Sequence, residues 1–179
     1  MRSIRHAFRI HGLRVSRRPK RCIRSSLRRW FGRGQVEGEN FREIKAGEKA
    51  KVSKSNNEWL AELGSEAYEI LRSHGTEAPD SHPYNYNKKT GTYHCRGCGT
   101  PLFESSMKYN SGSGWPSFTD CIPNALVTKT DSSFGMVRTE ILCASCHGHL
   151  GHVFPDGPAP TYLRHCVNGC ALNFQDKSS

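Results

Sequence analysis

The sequence has no apolar run approaching the roughly 20 residues a membrane-spanning helix requires, which points to a soluble protein. It has no acidic residue before Glu37, and the segment ahead of that residue has no uninterrupted apolar stretch of the kind a secretory signal needs. It has no internal repeat apart from two C-x-x-C motifs. With 179 residues, the chain is long enough for one domain with a core of its own, and too short for two.

The positive charge is unevenly placed. Of 26 basic residues, 12 lie in residues 1–34, and the remaining 14 nearly balance all 16 acidic ones, a net of −2 for the rest of the chain. The leader is Arg-rich, carries Ser3, Ser16, Ser25 and Ser26, and scatters Ile4, Phe8, Ile10, Leu13 and Val15 among its charges. That is the composition of an organelle transit peptide, mitochondrial ahead of plastid, with cleavage expected around residues 30–45. A basic arm binding nucleic acid or other acidic surfaces is the alternative, and would leave the protein in the cytoplasm. Residues 1–45 are assigned to leader and linker, expected to be disordered, and residues 46–179 to the domain. Within the polar stretch after the leader, ordered structure is expected from about Asn57.

Trp59, Leu63, Ala67, Ile70 and Leu71 recur at helical spacing and share one face. Gly64-Ser65 divides this segment into two short helices, with Ser65 capping the second, and Gly75 and Pro79 end it. From residue 84 onwards short apolar runs alternate with Gly, Pro, Asp and Ser turns, the pattern of antiparallel strands, and "GMVRTEIL" is the best single strand. The expected fold is mainly β with short N-terminal helices.

Eight cysteines suggest a disulfide scaffold by number but not by spacing. Cys95-x-x-Cys98 and Cys143-x-x-Cys146 each follow a strand-like run and precede a Gly-containing turn. Four thiolates in two such knuckles suit tetrahedral zinc with no open position. Closing the loop between the pairs costs about 3 kcal/mol, against an apparent ~10–16 kcal/mol from structural zinc. A thioredoxin-like redox pair would need an exposed thiol opening a helix, and neither motif opens one.

Three features lie outside the zinc motifs. In "NSGSGWPSF", Trp115 is fixed by Pro116 and flanked by glycines, so it is suited to wall a pocket, although a core role fits it too. In "HLGHVF", His149 and His152 stand beside the second knuckle as proton donors or as structural residues. In "LRHCVNGC", Arg164 and Asn168 lie two residues either side of Cys166. On a strand they would share its face, where positive charge favours the thiolate. Cys170, four residues on, would lie some 13 Å away along a strand, too far for a disulfide unless Asn168-Gly169 turns.

These motifs also carry a resemblance. From about Trp59 to Phe174, "YEILRSHGTEAP", "CRGCGTPLF", "KYNSGSGWPSF", "GMVRTEILCASCHGHLGHVFPDGP" and "LRHCVNGCALNF" occur in the order found in B-type methionine sulfoxide reductases. The resemblance implies two antiparallel sheets in an open β-rich fold, with one structural Zn2+ on Cys95, Cys98, Cys143 and Cys146 away from the pocket. It implies reduction of the R epimer of methionine sulfoxide, free or protein-bound, in repair of oxidative damage. Cys166 falls on the catalytic cysteine. Trp115 falls on the aromatic that meets the substrate methyl group. His149, His152 and Asn168 fall on polar positions around the sulfoxide oxygen, and Arg164 and Asp156 on pocket-side positions. The Cys166 thiolate would attack the sulfoxide sulfur while a histidine protonates the oxygen, leaving methionine and a sulfenic acid.

The expected partners are oxidised proteins or free methionine sulfoxide and a thiol reductant such as thioredoxin, with no nucleic acid, no membrane and no second copy of the chain. A zinc-ribbon nucleic-acid module would use the leader but leaves Trp115, His149, His152 and Cys166 without a role. The chain departs from the family where many members carry a resolving cysteine, for that position is Ser113. Cys170, Cys121, Cys22 or an external thiol are then the candidates for recycling Cys166. Cys170 itself stands where the family has a small residue, His165 where it more often has Tyr, and His147 where it has Asp.

Overall fold

The computed structural model describes Val36 and residues 38–177, so the Arg-rich leader and Cys22 fall outside the described residues. Helix α1, Asn56–Ser73, opens on a capping box: Ser55 Oγ accepts the Glu58 N–H, and the Glu58 carboxylate accepts the Ser55 N–H at 2.7 Å. The expected break is at Gly64, whose φ of 73° and ψ of 168° interrupt the helix. The chain leaves the helix at His74, in left-handed geometry one residue before the expected stop. Trp59, Leu63, Ala67, Ile70 and Leu71 are all buried, and Leu63, Ile70 and Leu71 are each worth roughly 1.5–3 kcal/mol over exposure. No helix among the described residues is long and apolar enough to cross a membrane.

Among the described residues ten strands follow a mainly antiparallel plan: β1 Phe41–Glu43, β2 Gly91–Cys95, β3 Pro101–Glu104, β4 Lys108–Tyr109, β5 Ser117–Phe118, β6 Leu126–Asp131, β7 Arg138–Cys143, β8 His149–Phe154, β9 Arg164–Val167 and β10 Leu172–Asp176. Seven form one sheet in the order β1-β6-β7-β8-β9-β5-β4, and β10-β2-β3 form the other. The sheets are the two expected, with one exception to the antiparallel rule: β1 pairs parallel to β6, Phe41 opposite Leu126. The segment read as linker therefore contains a strand. Its only buried side chain is Phe41, and one apolar residue among polar neighbours makes no period-two pattern. "GMVRTEIL" contributes a strand only from Arg138, with Met136 and Val137 left exposed.

Pairing register gives the large sheet two distinct faces. Directly paired residues point to the same side, and successive residues to opposite sides. One row, Phe118–His165–Val153–Thr139, faces the core. There Phe103 of the small sheet stacks on Phe118 at 4.2 Å, and Tyr93 meets Phe118 edge-on at 5.1 Å. The neighbouring row, Tyr109–Ser117–Cys166–His152–Glu140, runs across five strands on the other face.

Candidate active site

The two C-x-x-C knuckles are built alike. Cys95 N–H donates to Thr100 O and Gly99 N–H to Cys95 O; correspondingly, Cys143 N–H donates to Gly148 O and His147 N–H to Cys143 O. The residue after the second cysteine is left-handed in both, Gly99 at φ 74° and His147 at φ 56°. This is the role His147 takes up, since His, Asn and Asp tolerate that region better than most residues. Sγ atoms lie 3.6 Å apart for Cys95–Cys146 and 3.5 Å for Cys98–Cys143, and all four lie within 4.8 Å of one another. A tetrahedron with Zn–S bonds of about 2.3 Å has edges of about 3.8 Å. The four sulfurs fit one zinc ion, with no position left for substrate. Helix α1 braces the site: the Arg72 guanidinium donates to Cys146 O at 3.0 Å, and a Cβ at Gly148 would lie 2.9 Å from Leu71 Cδ2.

Away from these cysteines a pocket of about 190 Å³ is lined by Trp115, Phe154, Gly151, His152, Cys166 and Asn168, with Thr76 and Arg138. Gly151 is required there: its φ is +153°, and a Cβ would stand 2.1 Å from Cys166 O. Cys166 and His152 are direct cross-strand partners. The histidines of "HLGHVF" are three apart and would face opposite ways on a regular strand. A bulge prevents this: Gly151 pairs with Ile141 and His149 with Leu142, leaving Leu150 as the extra residue. Both imidazoles therefore lie on the Cys166 face, with ring centroids 5.5 Å apart.

Each imidazole rests on a carboxylate. His152 Nε2 bonds Asp131 Oδ2 at 2.9 Å, and Arg138 donates to the same oxygen at 2.7 Å. Burial would raise the Asp131 pKa, but bonds from the Ser133 hydroxyl and amide, His152 and Arg138 hold it well below the usual carboxylate range. Burial pulls the His152 pKa down, opposed by Asp131. His149 Nδ1 lies 2.6 Å from Glu140 Oε1, and so does His74 Nδ1. Burial would raise the Glu140 pKa too, yet His149 and then His74 keep it below the ordinary value.

The remaining expected residues divide by what they touch. The Cys166 thiol is pushed up by burial, which outweighs the opposing Arg164 charge and a hydrogen bond from Ser113. Arg164 acts in the direction read from sequence, but its guanidinium is committed to Asp156 through two bonds of 2.9 and 2.8 Å and lies 4.5 Å over the Phe154 ring. It braces a pocket wall. The buried Asn168 carboxamide accepts Glu77 N–H and donates to Leu150 O, both at 3.1 Å. Cys170 lies in the turn after β9 and Cys121 in the core; both are buried thiols pushed up to about 12, chiefly by burial.

Comparison with known proteins accounts for this arrangement. A family model described as the SelR domain matches residues 63–176. The chain belongs to the SelR family. It is 52% identical to a peptide methionine sulfoxide reductase MsrB of Bradyrhizobium diazoefficiens over 128 residues, 71% of this chain and 92% of that protein. It is 53% identical to an MsrB of Leptospira interrogans over 126 residues, 70% of this chain and 96% of the relative. The MsrB of Agrobacterium fabrum is 52% identical over 126 residues, 70% and 93% of the two chains.

Within this SelR domain, four supporting residues were not singled out from sequence. Glu77 is a buried carboxylate whose oxygens accept Gly169 N–H at 2.5 Å and Cys170 N–H at 2.8 Å, and its carbonyl accepts the Trp115 indole N–H at 3.1 Å. His74, Glu140 and Asp131 hold the two histidines. Glu140 had a signal, an acidic residue in the apolar strand "RTEILC", where a charge is buried only if paired. Glu77 and His74 lie in the motif "YEILRSHGTEAP" but in its aperiodic part, where nothing marked them individually.

Proposed function

We propose that the chain reduces methionine-R-sulfoxide, free or in proteins, through a sulfenic acid on Cys166. The observation that carries this is the direct pairing of Cys166 with His152 inside a pocket walled by Trp115 and Phe154, apart from the zinc shell. The aromatic walls suit the methyl and methylene groups of the substrate side chain. At rest the thiol is protonated and His152 neutral, consistent with both shifts. With Nε2–H given to Asp131, Nδ1 is the basic nitrogen of His152. It takes the Cys166 proton, the thiolate attacks the sulfoxide sulfur, and the proton passes to the sulfoxide oxygen. Oxygen ends on Cys166 as S–OH and the substrate sulfur as the thioether, with no net proton uptake.

An outside thiol then displaces water from the sulfenic acid to give a mixed disulfide, and a second thiol frees Cys166. Internal attack is disfavoured because Cys170 and Cys121 are buried with thiols pushed up to about 12, so neither is a ready thiolate. The test is an assay of the zinc-loaded protein on separated epimers with dithiothreitol, and of Cys166→Ser. R-epimer turnover lost in the variant is expected; no R turnover, or turnover that survives Cys166→Ser, would sink the reading. Mass spectrometry after one turnover without reductant should find one oxygen on Cys166; a Cys166–Cys170 or Cys166–Cys121 disulfide would overturn the external route.

We also assign the leader, residues 1–34, to organelle targeting, mitochondrial ahead of plastid. This rests on their Arg-rich, acid-poor composition. A fluorescent protein carrying these residues should leave the cytosol, and retention there would refute the assignment.

A further inference from the structure

Two imidazoles converge on a single carboxylate oxygen at one edge of the active face. His74 and His149 each bring Nδ1 to 2.6 Å from Glu140 Oε1. The three atoms all lie within 4.8 Å of one another, and the ring centroids are 5.4 Å apart. The three residues come from different elements: His74 caps the C-terminal end of α1, Glu140 lies on β7 and His149 on β8. The side chains of His149 and Glu140 are buried, whereas that of His74 is 57% exposed. The cluster is a buried pair closed on its outer side by a ring that solvent reaches.

The zinc knuckle holds this geometry in place. Glu140 stands three residues before Cys143 and His149 three residues after Cys146, so one hairpin carries both. Arg72, two residues before His74, donates to Cys146 O at 3.0 Å and ties the end of α1 to the same knuckle. His74 itself is fixed in left-handed geometry at φ 59°, and the bulge at Leu150 brings His149 to the face that carries Glu140. One histidine suffices to keep a buried carboxylate paired. A second imidazole presenting the same nitrogen to the same oxygen puts three ligand atoms around one point.

We propose that His74, Glu140 and His149 form a second metal site, separate from the four cysteines, for an exchangeable divalent transition ion of the Zn2+ class. Two imidazoles and a carboxylate suit Zn2+ or Co2+, whereas Mg2+ and Ca2+ favour oxygen donors throughout. Three protein ligands leave a fourth position, and the exposure of His74 lets water fill it. With bonds of about 2.0–2.1 Å a tetrahedral site has edges of about 3.3–3.4 Å, so each N–O contact must open by about 0.7–0.8 Å. Rotation of the Glu140 carboxylate and of the exposed His74 ring supplies that opening. An ionised carboxylate only accepts, so the hydrogens now lie on the two Nδ1 atoms. The ion takes their place: in a neutral ring the hydrogen moves to Nε2, in a protonated ring one is released, and no electrons move. None of the ligands is Cys166, so the site stands independently of the reading of that sulfur as nucleophile.

The test uses the full chain loaded with one equivalent of Zn2+, as wild type and as His74→Asn. Asparagine tolerates the left-handed backbone but replaces the imidazole with an amide, a poor zinc ligand. In calorimetric titration with further Zn2+, wild type should bind one equivalent more than the variant. Loss of a direct ligand should weaken that equivalent by more than the roughly 10–100-fold that loss of an outer partner costs. Co2+ added to the zinc-loaded wild type should give visible d–d bands without a near-ultraviolet thiolate charge-transfer band. Equal thermal unfolding, with the first zinc retained in both proteins, would show that the variant is folded. No further equivalent in wild type, an equivalent bound as tightly by His74→Asn, or a charge-transfer band placing the ion on a cysteine would each overturn the proposal.

Discussion

His165 lies one residue before Cys166 yet belongs to the core, and its burial should be readable as acid sensitivity. It is fully buried, with Nδ1 3.2 Å from Phe118 O, the Phe41 ring 5.5 Å away and Nε2 without a hydrogen-bond partner among the described residues. Burial pushes its pKa down to about 4, from an ordinary 6.5. The unfolded chain therefore binds a proton more readily than the folded one. The contribution is absent above about pH 6.5, and stability falls as pH drops from there towards 4. The full difference is about 3.4 kcal/mol, of which two-state linkage places about 1.4 kcal/mol at roughly pH 5.5.

The informative perturbation is His165→Phe, which keeps the ring and removes the titration. Urea unfolding with zinc saturating, at about pH 7.5 and about pH 5.5, gives a stability for each protein at each pH. Groups common to both, including the zinc thiolates, Asp131 and His152, cancel in the comparison. On acidification wild type should lose about 1.4 kcal/mol more than the variant. A difference between the two proteins that is the same at both pH values would show that His165 is not held neutral by burial.

Removing zinc by chelation should cost an amount comparable to the roughly 5–15 kcal/mol a domain has to lose, and changing Cys98 to Ser a large part of it, so near-ultraviolet circular dichroism should collapse on chelation; a retained cooperative melt without zinc would contradict the clamp. Gly151→Ala places a methyl 2.1 Å from Cys166 O at a left-handed φ, and a loss above ~3 kcal/mol in urea unfolding is expected, with R-epimer turnover falling too. Less than ~1 kcal/mol would show that β8 can move away from β9 cheaply. Glu77→Gln puts an amide donor where the carboxylate receives Gly169 and Cys170 N–H, so about 2–3 kcal/mol of stability should go. Cys170 should then alkylate faster, because the Glu77 charge no longer opposes its ionisation; unchanged Cys170 reactivity would argue against that contact.

Features fixed by local chemistry were legible in the sequence. The cysteine spacing named the zinc ligands because each knuckle needs only a tight turn within itself. Gly64 announced its break and the apolar stripe named the buried face of α1. What was hidden depends on contacts far apart in sequence. β1 is held by Phe41 against strands some 85 residues later, and polar neighbours mask it. The sign of the net pKa shift at Cys166 was also hidden, since flanking residues report Arg164 but not how deeply the sheet buries the sulfur, and burial wins.

The active face itself illustrates the limit. Strict alternation correctly separates His165 from Cys166, one into the aromatic core and one into the pocket. The same rule sends His149 and His152 to opposite faces, and there it fails, because Leu150 is an extra residue against β7. Nothing in "HLGHVF" marks the bulge except Gly151, whose left-handed backbone and contact with Cys166 O leave no room for a side chain. A site that needs two imidazoles three residues apart in a strand to share one face must break the period, and the glycine lets β8 do so without losing its pairing to β9.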